Sequence, residues 1–193
     1  LNKSVIFPLN YIPEWNDIKE MDCKREDDNK FILAHFGRVY GLRDATKFIE
    51  AVSKLIHERK EVESVLEIRQ FGEFRQSDIK LFKVYDKIPY EQCIIEMNKA
   101  DALLIFDTIM PDNEIQPYLP SKVLESSLIS KNVLTVTSKK SPSYRIAMES
   151  NAIIAFNEVE SIKLSLANLL NGNESKLNYK FANNMASEEL RKR

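Results

Sequence analysis

The sequence predicts a doubly wound parallel α/β sheet of about six strands. Two patterns predict it. Short apolar runs of strand length recur from Phe31 to Phe156, and the longer segments between them carry apolar residues at helical spacing. The runs are apolar almost throughout, as strands covered on both faces must be.

The elements follow in order. Ser4-Val5-Ile6-Phe7-Pro8 is a short extended piece in a polar stretch, so residues 1–30 read as a linker segment, with Trp15 tucked against the domain in a structural role. Phe31-Ile32-Leu33-Ala34-His35-Phe36 is the first strand. Gly37 and Gly41 fall in the turn after it, where the backbone must bend or approach something closely. A helix is expected from about Asp44 to Glu58, because Ala45, Phe48, Ile49, Val52, Leu55 and Ile56 share one face, with Asp44 as N-cap. Val65–Ile68 is the second strand, closed by Phe71-Gly72, and Leu81–Tyr85 is the third. A helix over Tyr90–Lys99 buries Cys93, Ile94, Ile95 and Met97 before the fourth strand, Ala102–Phe106. Leu119-Pro120-Ser121 opens a helix running to about Ser130, followed by a strand at Asn132–Thr137. Ser141-Pro142-Ser143 starts the next helix, Ala152–Phe156 is the sixth strand, and Val159–Leu170 is a helix that Gly172 stops. Residues 31–172 thus form the domain, and 173–193 a polar, weakly helical tail.

The chain has 193 residues, enough for one domain with a sizeable core. Its 28 basic side chains balance 29 acidic ones, which argues against a nucleic-acid partner. Cys23 and Cys93 lie far apart without metal-ligand spacing, so two reduced thiols of a cytoplasmic protein are expected, with no metal and no cofactor. No apolar run approaches the ~18 residues of a membrane span, and there is no signal-peptide pattern. The first residue is Leu, and the chain is expected to be a piece of a longer protein.

In doubly wound sheets ligands sit beyond the carboxyl ends of the strands, which puts the loops after residues 36, 72, 85, 107, 137 and 156 on one rim. On that rim the helix opened by Pro120 presents unpaired N–H groups and a positive dipole end, to which Lys122 adds charge. Glu125, one turn on, is placed to accept hydrogen bonds from two neighbouring hydroxyls. Phosphate at a helix start and a diol on a carboxylate are the needs of a nucleotide-sugar.

The ordered set of motifs resembles the C-terminal half of a retaining GT-B glycosyltransferase of the family 4 type. Val5-Ile6-Phe7-Pro8-Leu9-Asn10 resembles the passage between the two domains, and Phe36-Gly37-Arg38-Val39-Tyr40-Gly41-Leu42-Arg43-Asp44 the first strand with its Gly-Arg turn. Lys83–Pro89 resembles the strand and loop that receive the base, and Asn98-Lys99-Ala100-Asp101-Ala102 the Ala-Asp pair before the fourth strand. Leu119–Glu125 and Lys131–Leu134 resemble the donor helix and the strand after it. The resemblance covers roughly residues 4–170.

It implies a Rossmann-like half that binds a nucleotide-diphosphate sugar, with catalysis requiring an N-terminal domain of the same chain. Gly37, Arg38 and Arg43 match the turn that holds the diphosphate, a task suited to bidentate guanidinium groups. Ile88 matches the position whose backbone reads the base, Glu125 the glutamate on the ribose hydroxyls, and Pro120, Ser121 and Lys122 the phosphate-facing helix start. One departure stands out: the first glutamate of the family's Glu-x7-Glu motif falls on Pro117, with Glu114 nearby, and the glycines usual beside it are missing. Catalytic residues stay unassigned. Polysaccharide biosynthesis in the cytoplasm, or peripherally at the inner face of the membrane through the other half, is the destination the family suggests.

Three other readings compete. Leu104–Pro111 resembles the phosphoacceptor strand and Asp-x-x-Met-Pro loop of a response-regulator receiver, with Asp107 as acceptor; against it, Phe36-Gly37-Arg38 stands where a receiver needs acidic magnesium ligands. A sugar-nucleotide epimerase half has a similar layout, and a non-catalytic binding module is the third alternative. His35 in its apolar strand and His57 late in its helix read as structural.

Overall fold

The computed structural model describes residues 29–74, 81–111, 120, 122, 126, 132–149 and 152–172. Trp15, Cys23, Glu114, Pro117, Ser121, Glu125, the linker segment up to residue 28 and the tail lie outside them.

The elements are β1 (Phe31–Phe36), α1 (Thr46–Glu58), α2 (Glu61–Val65), β2 (Leu66–Phe71), β3 (Phe82–Tyr85), α3 (Tyr90–Lys99), β4 (Ala102–Phe106), β5 (Asn132–Thr137), α4 (Pro142–Glu149), β6 (Ile153–Phe156) and α5 (Val159–Leu170). Lys122 and Ser126, between β4 and β5, are helical residues. The six strands form one sheet, ordered β3-β2-β1-β4-β5-β6, and every pairing is parallel. This is the Rossmann-like, doubly wound α/β arrangement.

Burial explains why the elements form where they do. On one face Phe48, Val52 and Leu55 of α1 and Ile162, Leu166 and Leu169 of α5 pack on Leu33, Ile68, Leu104 and Leu134. On the other, Ile94 and Met97 of α3 and Ile146 of α4 cover Ile32, Ala34, Phe36, Leu103, Ile105 and Val133. Alternate residues of β1 and β4 thus feed opposite cores, so these strands read as unbroken apolar runs.

Several boundaries differ from expectation. The α1 helix starts at Thr46, after N-cap residue Ala45; Asp44 still tethers the helix start, accepting from the Thr46 N–H at 2.9 Å and hydroxyl at 2.6 Å. The second strand runs on to Phe71, because Glu67 and Arg69 neutralise each other on it and Gln70 finds hydrogen-bond partners. Val65 instead ends the short helix α2, which packs Val62 into the core.

The strand order excludes the receiver alternative, whose flavodoxin-like sheet runs 2-1-3-4-5. Asp107 is 1% exposed. Its Oδ2 accepts from the Thr137 hydroxyl at 2.7 Å and from the Ser141 hydroxyl, and its Oδ1 accepts from the Thr108 N–H at 2.8 Å. Asp107 therefore ties β4 and β5 to the segment entering α4. Asp107→Asn is expected to destabilise the fold by about 1–2 kcal/mol, since one acceptor becomes a donor facing hydroxyls able to reverse. Urea denaturation checks this, and acetyl phosphate is expected to label neither protein.

Candidate functional site

The strand order reverses between β1 and β4, and in such sheets ligands bind beyond the carboxyl ends of the strands at that point. Backbone hydrogen bonds lace the loops around it. The Gly37 N–H donates to Phe71 O at 2.9 Å, Val39 N–H to Glu73 O at 3.0 Å, and Gly72 N–H to Tyr85 O at 3.0 Å. Across the switch point, the Ile109 N–H donates to Leu42 O at 2.9 Å. The ends of β1, β2, β3 and β4 are thus joined into one rim.

Two glycines make that rim possible. Gly37 has φ 130° and Gly72 φ 115°, in a region side-chain-bearing residues rarely enter. A Cβ on Gly72 would stand 2.8 Å from Gly37 O. The same carbonyl accepts from Gln70 Nε2 at 2.7 Å. A carbonyl only accepts, so this bond fixes the Gln70 amide and turns its Oε1 to His35 Nδ1, 2.7 Å away. His35 consequently carries a proton on Nδ1 and donates it to Gln70.

Electrostatics bring the cations together. Burial lowers the His35 pKa to about 4; the Gln70 hydrogen bond opposes this, while the charges of Arg43 and Lys122 lower it further. Arg43 comes from the loop after β1 and Lys122 from the helical stretch after β4, so both sides of the switch point place positive charge within reach of one imidazole. The Lys122 ammonium also lies 5.6 Å from the Tyr90 ring centroid, linking it to the start of α3. A neutral His35 adds no third positive charge beside them. Arg38 is turned differently: its side chain is exposed, with Nε 3.7 Å from a Glu73 carboxylate oxygen. Ile88 is half-buried just before α3, and its carbonyl is 3.9 Å from Cys93 Sγ; Pro120 is half-buried as well. His57 is exposed.

Sequence reasoning missed Gln70 and the Gly37–Gly72 contact. A glutamine in an otherwise buried strand was the available signal, since a buried amide needs partners. Among the described residues, no group of three or more His, Cys, Asp or Glu side chains is placed to hold a metal ion, and no helix is long and apolar enough to cross a membrane.

No family model and no curated protein matches the chain. Solved structures do. WaaG, a glycosyltransferase involved in lipopolysaccharide biosynthesis, superposes with a TM-score of 0.62 at 14% identity over 95% of this chain and 50% of its own. HepE from Anabaena, solved with UDP-glucose, gives 0.57 at 13% identity over 83% of this chain and 44% of its own. The chain has the fold of one Rossmann-like half of a GT-B structure. A putative UDP-N-acetylglucosamine 2-epimerase from Listeria monocytogenes shares it, at a TM-score of 0.53 and 12% identity over 86% of this chain and 41% of its own. The chain thus spans half or less of the length of each of these structures.

Proposed function

We propose that this chain is the donor-binding half of a retaining, family 4 type glycosyltransferase, and that it binds the nucleotide part of a nucleotide-sugar. The observation that carries the reading is the pairing of Arg43 and Lys122 beside a neutral His35 at the switch point. Two cations from opposite sides of the switch point suit a diphosphate, and a glycine turn lets the phosphates approach the backbone. The fold shared with WaaG and with the UDP-glucose complex of HepE supports the same class of ligand.

In this reading Gly37 and Arg43 hold the diphosphate, and Arg38 joins them by exchanging Glu73 for a phosphate oxygen. Lys122, with the Pro120-Ser121 helix start, neutralises the leaving group. The Ile88 backbone meets the base, and Glu125 takes the ribose hydroxyls. The task of these groups is to stabilise the departing nucleoside diphosphate. The acceptor and the groups over the transferred sugar belong to an N-terminal domain, so this chain alone is expected not to turn over. Residues 31–172 are the binding unit, and polysaccharide biosynthesis at the cytoplasmic side of the membrane is the proposed setting.

Ligand-observed NMR with UDP, GDP, ADP and inorganic phosphate tests the reading. One nucleoside diphosphate is expected to bind selectively, and Arg43→Ala and Glu125→Ala each to weaken it about tenfold. Binding that neither variant changes would sink the site assignment. The epimerase fold likeness keeps epimerisation as the second reading; product analysis with the whole protein separates a transferred glycosyl group from an inverted sugar carbon.

A further inference from the structure

A cavity of about 280 Å³ lies on the α3 face of the sheet and reaches the ends of β2 and β3. Strand register builds its floor in rows. Glu67, Arg69 and Phe71 alternate along β2 onto that face, and Lys83 and Tyr85 do so along β3. Parallel pairing sets Arg69 beside Lys83 and Phe71 beside Tyr85. On the β1 side the same two rows hold Ala34 and Phe36. Ile32 of β1 and Ile88, just before α3, complete the lining. The wall opposite is the stripe Gln92, Glu96 and Lys99 of α3, residues one and two turns apart on one side of the helix.

The upper row is a ring ladder. Phe36 and Phe71 stack with centroids 4.8 Å apart, and Phe71 and Tyr85 do so at 4.8 Å and 14°. Tyr85 ends the ladder on the edge strand and is 39% exposed. The row below is cationic. Arg69 Nε donates to Glu67 Oε1 at 2.6 Å and Nη1 lies 3.7 Å from Glu96, so the guanidinium is oriented from two sides. Lys83 shares the same Glu67 at 2.6 Å, and Lys99 is 2.9 Å from Glu96. Lys30 also lies 3.8 Å from Glu67, so four cations lean on two carboxylates, and the lining keeps a positive surplus. Glu67 remains ionised: burial raises its pKa, but hydrogen bonds from Lys83 and Arg69 more than offset it and hold it below the ordinary value.

We propose that this cavity is a second small-molecule site, for a phosphate monoester carried on a flat aromatic ring. Two strand residues, about 7 Å, separate the ring row from the charged row, a span matching a single ring joined directly to its phosphate. The ring extends the ladder on Tyr85, and the phosphate meets Arg69, Lys83 and Lys99, with Gln92 as a neutral partner. The volume suits a ligand of this size and falls short of the usual range for drug-sized molecules. The proposal does not rest on the donor-site reading: Arg43, Lys122 and the glycine turn take no part in it, and Ile88, which also lines this cavity, enters the donor reading only through its backbone.

The test is a titration of the isotopically labelled 193-residue chain with phenyl phosphate, followed by amide NMR, with inorganic phosphate as the ringless arm. Saturable shifts are expected at Arg69, Lys83, Tyr85, Gln92 and Lys99, and weaker binding by inorganic phosphate. Lys99→Gln and Tyr85→Leu, both at solvent-accessible positions, are each expected to weaken phenyl phosphate about tenfold, whereas Arg43→Ala leaves its affinity unchanged. The unsubstituted chain's shift map needs no variant to fold. Shifts centred on Gly37 and Arg43, equal affinity for the ringless phosphate, affinity untouched by both variants, or no saturable binding would each overturn the proposal.

Discussion

Lowering the pH from about 6.5 to about 4 is expected to remove about 3 kcal/mol of stability through His35 alone. An unfolded imidazole takes up its proton near 6.5, whereas the folded one is held to about 4, chiefly by burial. Between those values the unfolded chain binds more protons, so stability rises with pH. The His35 contribution is complete above about 6.5 and is lost as the pH falls toward 4. Other groups also titrate in this range, so the measurement is a difference: urea denaturation of the wild type and of His35→Asn at several pH values. The steep limb is expected only in the wild type. An NMR titration placing the folded His35 near 6.5 would refute the account. The same proton matters for the proposed donor site, because a charged imidazole would oppose Arg43 and Lys122.

Gly72→Val is expected to cost at least about 3 kcal/mol, and Gly72→Ala somewhat less. Two separate penalties combine. At φ 115° a side-chain-bearing residue is strained by about 1–3 kcal/mol. The new Cβ would also stand 2.8 Å from Gly37 O, a backbone atom held by Gln70 and unable to rotate away; overpacking of this kind costs about 1–3 kcal/mol more. Gly41 provides the control. It also has positive φ, 59°, but a Cβ there meets nothing within 4 Å. Gly41→Ala is therefore expected to show the conformational part alone, about 1–2 kcal/mol. Equal losses at the two positions would show that the close approach of the β1 and β2 turns contributes nothing. Because Gly37 O is displaced, Gly72→Ala is also expected to weaken the proposed nucleotide binding more than its loss of stability explains.

The sequence by itself determined the six strands, most of the helices and the parallel α/β class. These depend on local periodicity: Tyr90–Lys99, Asn132–Thr137 and Val159–Leu170 form where their apolar spacing alone placed them. It also marked Arg43 in the turn after β1 and Lys122 at a helix start as basic residues on the rim. Tertiary structure decided everything that depends on which strands are neighbours. The extension of β2 through Arg69 and Gln70 required partners from distant segments, since polar residues in a strand look like its end until those partners arrive. Asp107 looks the same in sequence whether exposed as a phosphoacceptor or buried as a clamp; only the pairing of β4 with β5, which sets Thr137 beside it, distinguishes the two. Likewise, the approach of Arg43 and Lys122 to one neutral histidine, and the ring ladder over a row of cations beside α3, exist only because parallel register sets residues tens of positions apart side by side. Periodicity is a property of neighbours along the chain, whereas a site is a property of neighbours in space.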